Sequence, residues 1–102
     1  MPLFMAKKEV FAWIKQGRKT IDVRKGKPRQ GNIAVFQSGN NHLRFPILKR
    51  ETGKLAEIVR PDNFKQVIPP AENLQAALNY FHCLYGIYDG QFTAYYLADL
   101  KK

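Results

Sequence analysis

The apolar residues of this 102-residue chain change their spacing from one segment to the next, and this change constrains the fold most. Apolar residues recur at helical spacing in a short early segment and in a longer late one. Most of the segments between these two, and the final segment of the chain, alternate apolar and polar residues. Gly and Pro residues punctuate the chain between these segments. The pattern predicts helices over 9–16 and 74–85, one helical turn over 64–67, and strands over 20–24, 32–37, 43–49, 55–60 and 92–100.

Several single residues refine these boundaries. Asn73 is expected to cap the late helix and Asp62 the single helical turn, because both side chains accept hydrogen bonds from free helix amides. Gly17 ends the first helix and Gly86 the late one. Pro46 indicates an edge strand or a bulge, since proline cannot donate a backbone hydrogen bond.

The order of helix, several strands, helices and a final strand predicts an α+β fold, with a mixed sheet curled on itself and flanked by helices. The length fits a single domain, 1–102. Cys83 is the only cysteine, which excludes an intrachain disulfide and zinc sites built on cysteine pairs. The apolar runs are too short to span a bilayer, and the N-terminal segment does not resemble a signal peptide. We therefore expect a cytoplasmic protein without a membrane partner, an obligate metal or a cofactor.

The charge of the chain is strongly positive and unevenly distributed. Lys and Arg number 17 against 8 Asp and Glu, which gives a net charge of +9. Nine of the cations fall within residues 1–30, whereas residues 61–102 hold three Lys against four acids. This distribution is typical of a basic patch on one side of a domain and favours a polyanionic partner such as RNA. A merely solvated basic surface is the alternative.

The segment 17–24 concentrates charged residues on one rigid element. Strand alternation places Asp22 and Arg24 on one face, with Lys19 just before the strand, while Ile21 and Val23 face the core. A functional site needs such convergent groups on a rigid support. The alternative is a solvated strand face with a weak Asp22–Arg24 ion pair.

Four of these residues resemble the signature of the ASCH family, Gly-x-Lys-x-x-Glu-x-Arg, placed between a first helix and a first strand. Gly17, Lys19, Asp22 and Arg24 stand at those positions, with Asp in place of Glu. The resemblance covers nearly the whole chain. It implies a PUA-like mixed β-barrel of about five or six strands with flanking helices, a fold associated with RNA binding.

The chain resembles in particular a bacterial subgroup of similar length, the small amidohydrolases that act on N4-acetylcytidine. Their site uses a Lys, a Thr and a Glu before the late helix, which implies roles for Lys19 and Glu72 here. Asp22 occupies the Thr position, and a carboxylate does not replace a hydroxyl nucleophile, although it activates water in other enzymes. Glu72 is also explained by the dipole of the late helix alone. We therefore take Lys19, Asp22 and Glu72 as catalytic candidates.

The candidate ligand-binding residues are mostly cations. Arg24 matches a phosphate or an oxyanion, and the loop following the strand is either a phosphate contact or an ordinary solvated loop. The aromatic residues are mostly core by number, with one or two expected to line the cleft, and Tyr96 is chosen for base stacking. The complete set of ligand-binding candidates is Arg24, Arg18, Lys25, Lys27, Arg29 and Tyr96.

Residues outside the motif are weaker candidates for a functional site. His42 and His82 have no partner at a telling spacing, so surface or helix-packing roles are expected, and Cys83 is expected to be a small buried hydrophobe.

Three functions remain open. The first is an RNA- or nucleotide-binding domain whose basic cleft holds a base or a phosphate. The second is a hydrolase acting on N4-acetylcytidine-like nucleosides or on RNA phosphodiesters. The third is a protein-interaction adaptor.

Overall fold

A computed structural model describes residues 1–98 and confirms the α+β class. Five strands and four helices follow one another along the described chain. Their bounds are β1 Leu3–Met5, α1 Lys8–Lys15, β2 Ile21–Lys25, β3 Ile33–Ser38, β4 Asn41–Gly53, α2 Leu55–Ile58, α3 Phe64–Val67, α4 Leu74–Tyr85 and β5 Phe92–Leu97.

The five strands form one mixed sheet in the order β1-β3-β4-β5-β2. β1 pairs parallel to β3, and the other three pairings are antiparallel. Phe4 on β1 and Tyr95 on β5 are separated by two strands in this order, yet their ring centroids lie 4.9 Å apart. The sheet therefore curls into a half-barrel around these rings, as the sequence predicted.

Two apolar clusters stabilise the half-barrel. The concave cluster gathers residues from β1, α1, β3 and β5: Phe4, Ile14, Ala34, Phe36, Tyr95 and Leu97. The second cluster lies on the opposite face of β2 and β5, beneath α2, α3 and α4; Ile21, Val23, Ile58, Val67, Phe81 and Phe92 are among its members. The sheet is thus covered on both faces where β2 and β5 pair, which buries Asp22 and leaves Arg24 half-buried.

The late helix agrees closely with its prediction. The Asn73 side chain accepts a hydrogen bond from the Ala76 amide at 2.8 Å, which satisfies one of the free donors at the start of α4. Gly86 ends the helix with a φ of 73°, in the left-handed region that favours glycine.

Three local predictions are wrong, and one strand was missed. Residues 55–60 contain the helical turn α2 instead of a strand, because β4 runs unbroken to Gly53 and the Glu57 carboxylate accepts a bond from the Lys54 amide. Asp62 does not cap α3, because Asn63 occupies the N-cap position. The Asn63 side-chain oxygen accepts a hydrogen bond from the Arg60 amide. Cys83 is exposed, because α4 buries only Ala77 and Phe81. The short strand β1 was not foreseen.

The predicted irregularity in β4 lies close to its proline. β4 pairs with β3 up to Pro46 and with β5 from Ile47 onward, and the register shifts between Ile47 and Lys49. The final strand ends at Leu97, and the rest of its predicted range, 99–100, lies outside the described residues. Among residues 1–98, the helices are too short to cross a bilayer.

Candidate functional site

A reversal of the chain after α1 positions Lys19. Gly17 adopts a φ of 78°, which a residue with a Cβ rarely tolerates, and the chain turns back there. The amides of Arg18 and Lys19 both donate to the carbonyl of Trp13, at 3.0 and 3.1 Å. The Lys19 side chain thereby enters the protein between β2 and α3, immediately before the strand that carries Asp22.

Lys19 is buried, with 5% of its surface exposed. Its ammonium donates hydrogen bonds to the carbonyl oxygens of Ile21 at 2.9 Å and Val67 at 2.6 Å, and lies 4.0 Å from the nearer Asp22 oxygen. Burial lowers the pKa of the Lys19 amine from 10.5 to about 8, although the Asp22 charge opposes this and Arg24 adds to it. The amine is therefore poised near neutral pH, as acid–base groups in functional sites are.

Asp22 and Arg24 form the second part of the site. The Arg24 Nε donates to one Asp22 oxygen at 2.6 Å, and Nη2 lies 3.4 Å from the other. Arg24 also donates to the Met5 carbonyl at 3.0 Å and lies over the Phe4 ring at 4.8 Å. Asp22 is only 2% exposed, so this pair is not the solvated surface pair that the sequence left open.

Lys19, Asp22 and Arg24 line one cavity of about 190 Å³, which we call the lysine pocket. Most of its remaining lining comes from residues 5–10, in β1, α1 and the connection between them, and from α4, which contributes Tyr80 and Tyr85. Ile21 and Val23 are both buried, as the strand alternation predicted, but Val23 also lines the pocket. The pocket therefore combines three cations, Lys7, Lys19 and Arg24, with one carboxylate and aromatic surface.

Glu72 and Tyr96 lie elsewhere. Glu72 is exposed just before α4 and is not among the residues that line the lysine pocket, so the predicted four-residue cleft reduces to three charged residues. Tyr96 points from β5 toward the opposite face, where its hydroxyl donates to Glu51 at 2.9 Å and the Lys49 ammonium lies 4.4 Å from its ring. Consecutive residues of β5 alternate between faces, which separates Tyr96 from Tyr95 and from the pocket.

The cations of the predicted ligand surface differ in how firmly they are held. Arg18 and Lys27 are exposed. Lys25 lies over the Tyr88 ring at 4.1 Å. Arg29 is fixed: its guanidinium donates to the Leu3 carbonyl at 2.9 Å and lies 4.8 Å from the Phe4 ring. Of these four, Arg29 contacts the same ring as Arg24, so the basic loop adjoins the lysine pocket through Phe4.

The sequence did not place Met5 at the site, and among the aromatic residues it favoured Tyr96 for the cleft over Tyr80 and Tyr85. Met5, Tyr80 and Tyr85 line the lysine pocket from β1 and α4. The helical stripe of α4 was foreseen, but no local signal indicated that its tyrosines flank β2. The register of β1 depends on parallel pairing with β3, about thirty residues away, which a periodicity in sequence does not reveal.

The histidines and acids within residues 1–98 were considered as metal ligands. His42 and His82 are exposed, in keeping with surface positions. Within residues 1–98, no three His, Cys, Asp or Glu side chains are grouped closely enough to hold an ion.

Comparison with known proteins supports the fold. No family model matches the chain, and no curated protein matches it. The crystal structure of the hypothetical protein PH0355 is similar, with a TM-score of 0.73 and 17% sequence identity. The alignment covers 95% of this chain and 97% of that one. At this identity the likeness extends to the fold alone, so the chain adopts an α+β half-barrel fold that a solved structure shares over nearly its whole length.

Proposed function

We propose that this protein is an ASCH-like domain that binds RNA or a nucleotide, with the lysine pocket as the site for a base or a phosphate. The observation that carries the proposal is the convergence of buried Lys19 and Asp22 with Arg24 in one open cavity. Residues 17, 19, 22 and 24 are also those that resemble the family signature.

The size and lining of the pocket favour a small ligand group. Pockets for drug-sized molecules typically measure about 300–1,000 Å³, whereas this one measures about 190 Å³. It suits one base or one phosphate better than a longer segment. Tyr80 and Tyr85 offer aromatic surface for stacking, and Lys19 and Arg24 offer donors.

The basic loop extends the proposed site outward. Lys25 and Lys27 are exposed, and Arg29 is held by the Leu3 carbonyl. A guanidinium that is already fixed loses little rotamer freedom when it meets a phosphate. We expect an RNA strand whose base or phosphate enters the lysine pocket to place its sugar–phosphate backbone along this loop.

Salt dependence tests the proposal. Binding of a short single-stranded RNA should weaken steeply with added salt, because each neutralised phosphate releases counterions. Replacing Lys25, Lys27 and Arg29 with Gln removes up to three contacts and should reduce the log–log salt slope by about 2. The measurement is fluorescence anisotropy over a series of salt concentrations, with melting temperatures to verify folding.

A matched control removes three exposed cations from other parts of the surface: Arg44, Lys54 and Lys65. The control triple should leave the slope nearly unchanged. Equal slopes for wild type and the loop triple would count against the loop as a phosphate contact. Binding that ignores salt altogether would instead favour a neutral ligand or the protein-adaptor alternative.

One observation favours hydrolysis as a second candidate. The Lys19 pKa of about 8 suits a general acid, and Asp22 lies within the same pocket. In this version Asp22 accepts a proton from water as it adds to the acyl carbon, Lys19 protonates the departing amine as the C–N bond breaks, and Arg24 holds the oxyanion. The exposed Glu72 has no role in it.

The Asp22–Arg24 contact argues for binding as the first candidate. One Asp22 oxygen already accepts a 2.6 Å hydrogen bond from Arg24, so the guanidinium occupies a position that an attacking water would need. Incubation with N4-acetylcytidine, followed by chromatography for released cytidine, separates the two candidates. Turnover that disappears in Asp22→Asn would establish the hydrolase, and binding without turnover would establish the binding domain.

A further inference from the structure

A second cavity lies between the C-terminal end of α1 and the first half of β4. It measures about 220 Å³, and we call it the apolar pocket. Ile14 and Leu97, which are 1% and 5% exposed, form its inner wall, and half-buried Leu43 and Phe45 lead from there toward the surface. All four belong to or pack against the concave cluster. Lys19 is the only lining residue shared with the lysine pocket.

The volume limits the ligand to one ring or a short branched chain. An apolar cavity of about 150 Å³ is large enough to bind benzene. The apolar pocket is somewhat larger, at about 220 Å³, and therefore also accommodates a small substituent on such a ring. It remains below the range of about 300–1,000 Å³ that holds drug-sized molecules.

Among residues 1–98, the charged residues that line the apolar pocket are all cations. Lys15 on α1 and Arg44 on β4 contribute exposed side chains to its lining. The lining residues among 1–98 include no carboxylate. The apolar part of a ligand in this pocket would thus lie next to cations. The arginine guanidinium matches a carboxylate in shape as well as in charge.

We propose that the apolar pocket binds a small monocarboxylate whose body is a single ring or a short branched hydrocarbon. The body contacts Ile14, Phe45 and Leu97, and the carboxylate faces Arg44 and Lys15. This site does not depend on the proposed RNA function, because its lining, apart from Lys19, is separate from that of the lysine pocket.

Benzoate and benzyl alcohol are a matched pair of probes for this proposal, since they share the ring and differ in charge. Titration of the full chain, followed by amide chemical shifts, should show benzoate perturbing residues 14, 43–45 and 97 with a dissociation constant on the order of 1 mM. Benzyl alcohol should perturb the same amides but bind more weakly.

Two variants and one control separate the contributions of charge and shape to binding. Arg44→Gln should weaken benzoate binding about two- to fivefold, as expected for a partly exposed charge contact, and leave benzyl alcohol unchanged. Lys65→Gln removes an exposed cation from α3 and should change neither probe. Leu43→Trp should exclude both probes by filling the pocket.

The proposal is overturned if benzoate perturbs none of these amides at millimolar concentration, or if it perturbs the lysine pocket instead. Equal affinity for the two probes in wild type, or equal effects of Arg44→Gln and Lys65→Gln, would also overturn it by removing the role of the carboxylate. These last comparisons use exposed positions, so they do not depend on whether Leu43→Trp folds.

Discussion

The buried amine of Lys19 should make the stability of the protein depend on pH in a characteristic way. Its pKa is about 8 in the folded protein, against 10.5 for an ordinary lysine. Between these two values the unfolded chain binds more protons than the folded one, so the free energy of unfolding rises as pH rises. Each unit of pKa difference corresponds to about 1.4 kcal/mol, and the full effect is therefore about 3 kcal/mol.

The sign follows from the protonation states. Below pH 8 the folded protein keeps Lys19 charged in a buried position, and the whole penalty applies. Above pH 10.5 the amine is neutral in both states, and the penalty is absent. Lys19→Met has no titrating group at this position, so its free energy of unfolding should not follow the same rise.

Urea unfolding at several pH values from 7 to 10 measures this effect. Other groups titrate in the same range, so the informative quantity is the free energy of wild type minus that of Lys19→Met. We expect this difference to rise by roughly 2–3 kcal/mol across the window. Lys15→Met, which changes an exposed lysine on α1, should remain parallel to wild type.

Parallel curves for wild type and Lys19→Met would refute the reasoning, since they would mean that Lys19 titrates equally in both states. Lys19→Met also leaves the Ile21 and Val67 carbonyls without their donor. If that loss prevents folding, NMR titration of the Lys19 side chain in the wild-type protein provides the same answer: a midpoint near 10.5 would contradict the account.

Three further substitutions follow from the contacts of single side chains. Asn73→Ala should lower the free energy of unfolding by about 1 kcal/mol, because the Ala76 amide loses its 2.8 Å acceptor; urea unfolding measures this. Asp22→Asn should destabilise the protein by about 3 kcal/mol, because it leaves the partly buried Arg24 charge without its partner; a loss below 1 kcal/mol would contradict this. Glu72→Gln should leave RNA affinity within twofold of wild type in anisotropy titrations, since Glu72 lies outside the lysine pocket; a tenfold loss would restore it to the site.

Local patterns predicted the elements whose cause is local. The Asn73 cap, the Gly17 reversal and the alternation of Ile21 and Val23 with Asp22 and Arg24 all depend on neighbours within a few residues. These features predicted α1, α4 and β2, together with the two faces of the strand. They also placed Lys19, Asp22 and Arg24 next to one another.

What covers a strand depends on residues far away in the chain. The alternation in β2 assigned Asp22 to a face but did not show that Phe4 and Tyr95 lie within the curl on that side, so it left a solvated Asp22 open as an alternative to the cleft. The same limit explains why Tyr96 was chosen for the cleft. Its hydroxyl contacts Glu51 rather than Lys19. The assignment of Glu72 came from the family resemblance, and the residue stands before α4, whereas the later turns of that helix line the pocket.

The central claim is that RNA or a nucleotide binds in the lysine pocket and along the adjoining loop. Amide chemical-shift mapping with a short single-stranded RNA tests it most directly, because it needs no substitution. The account predicts that the largest changes fall on residues 19–29 and on Tyr80 and Tyr85 of α4, and that they diminish with added salt. Changes confined to other surfaces, or none at millimolar RNA, would contradict it.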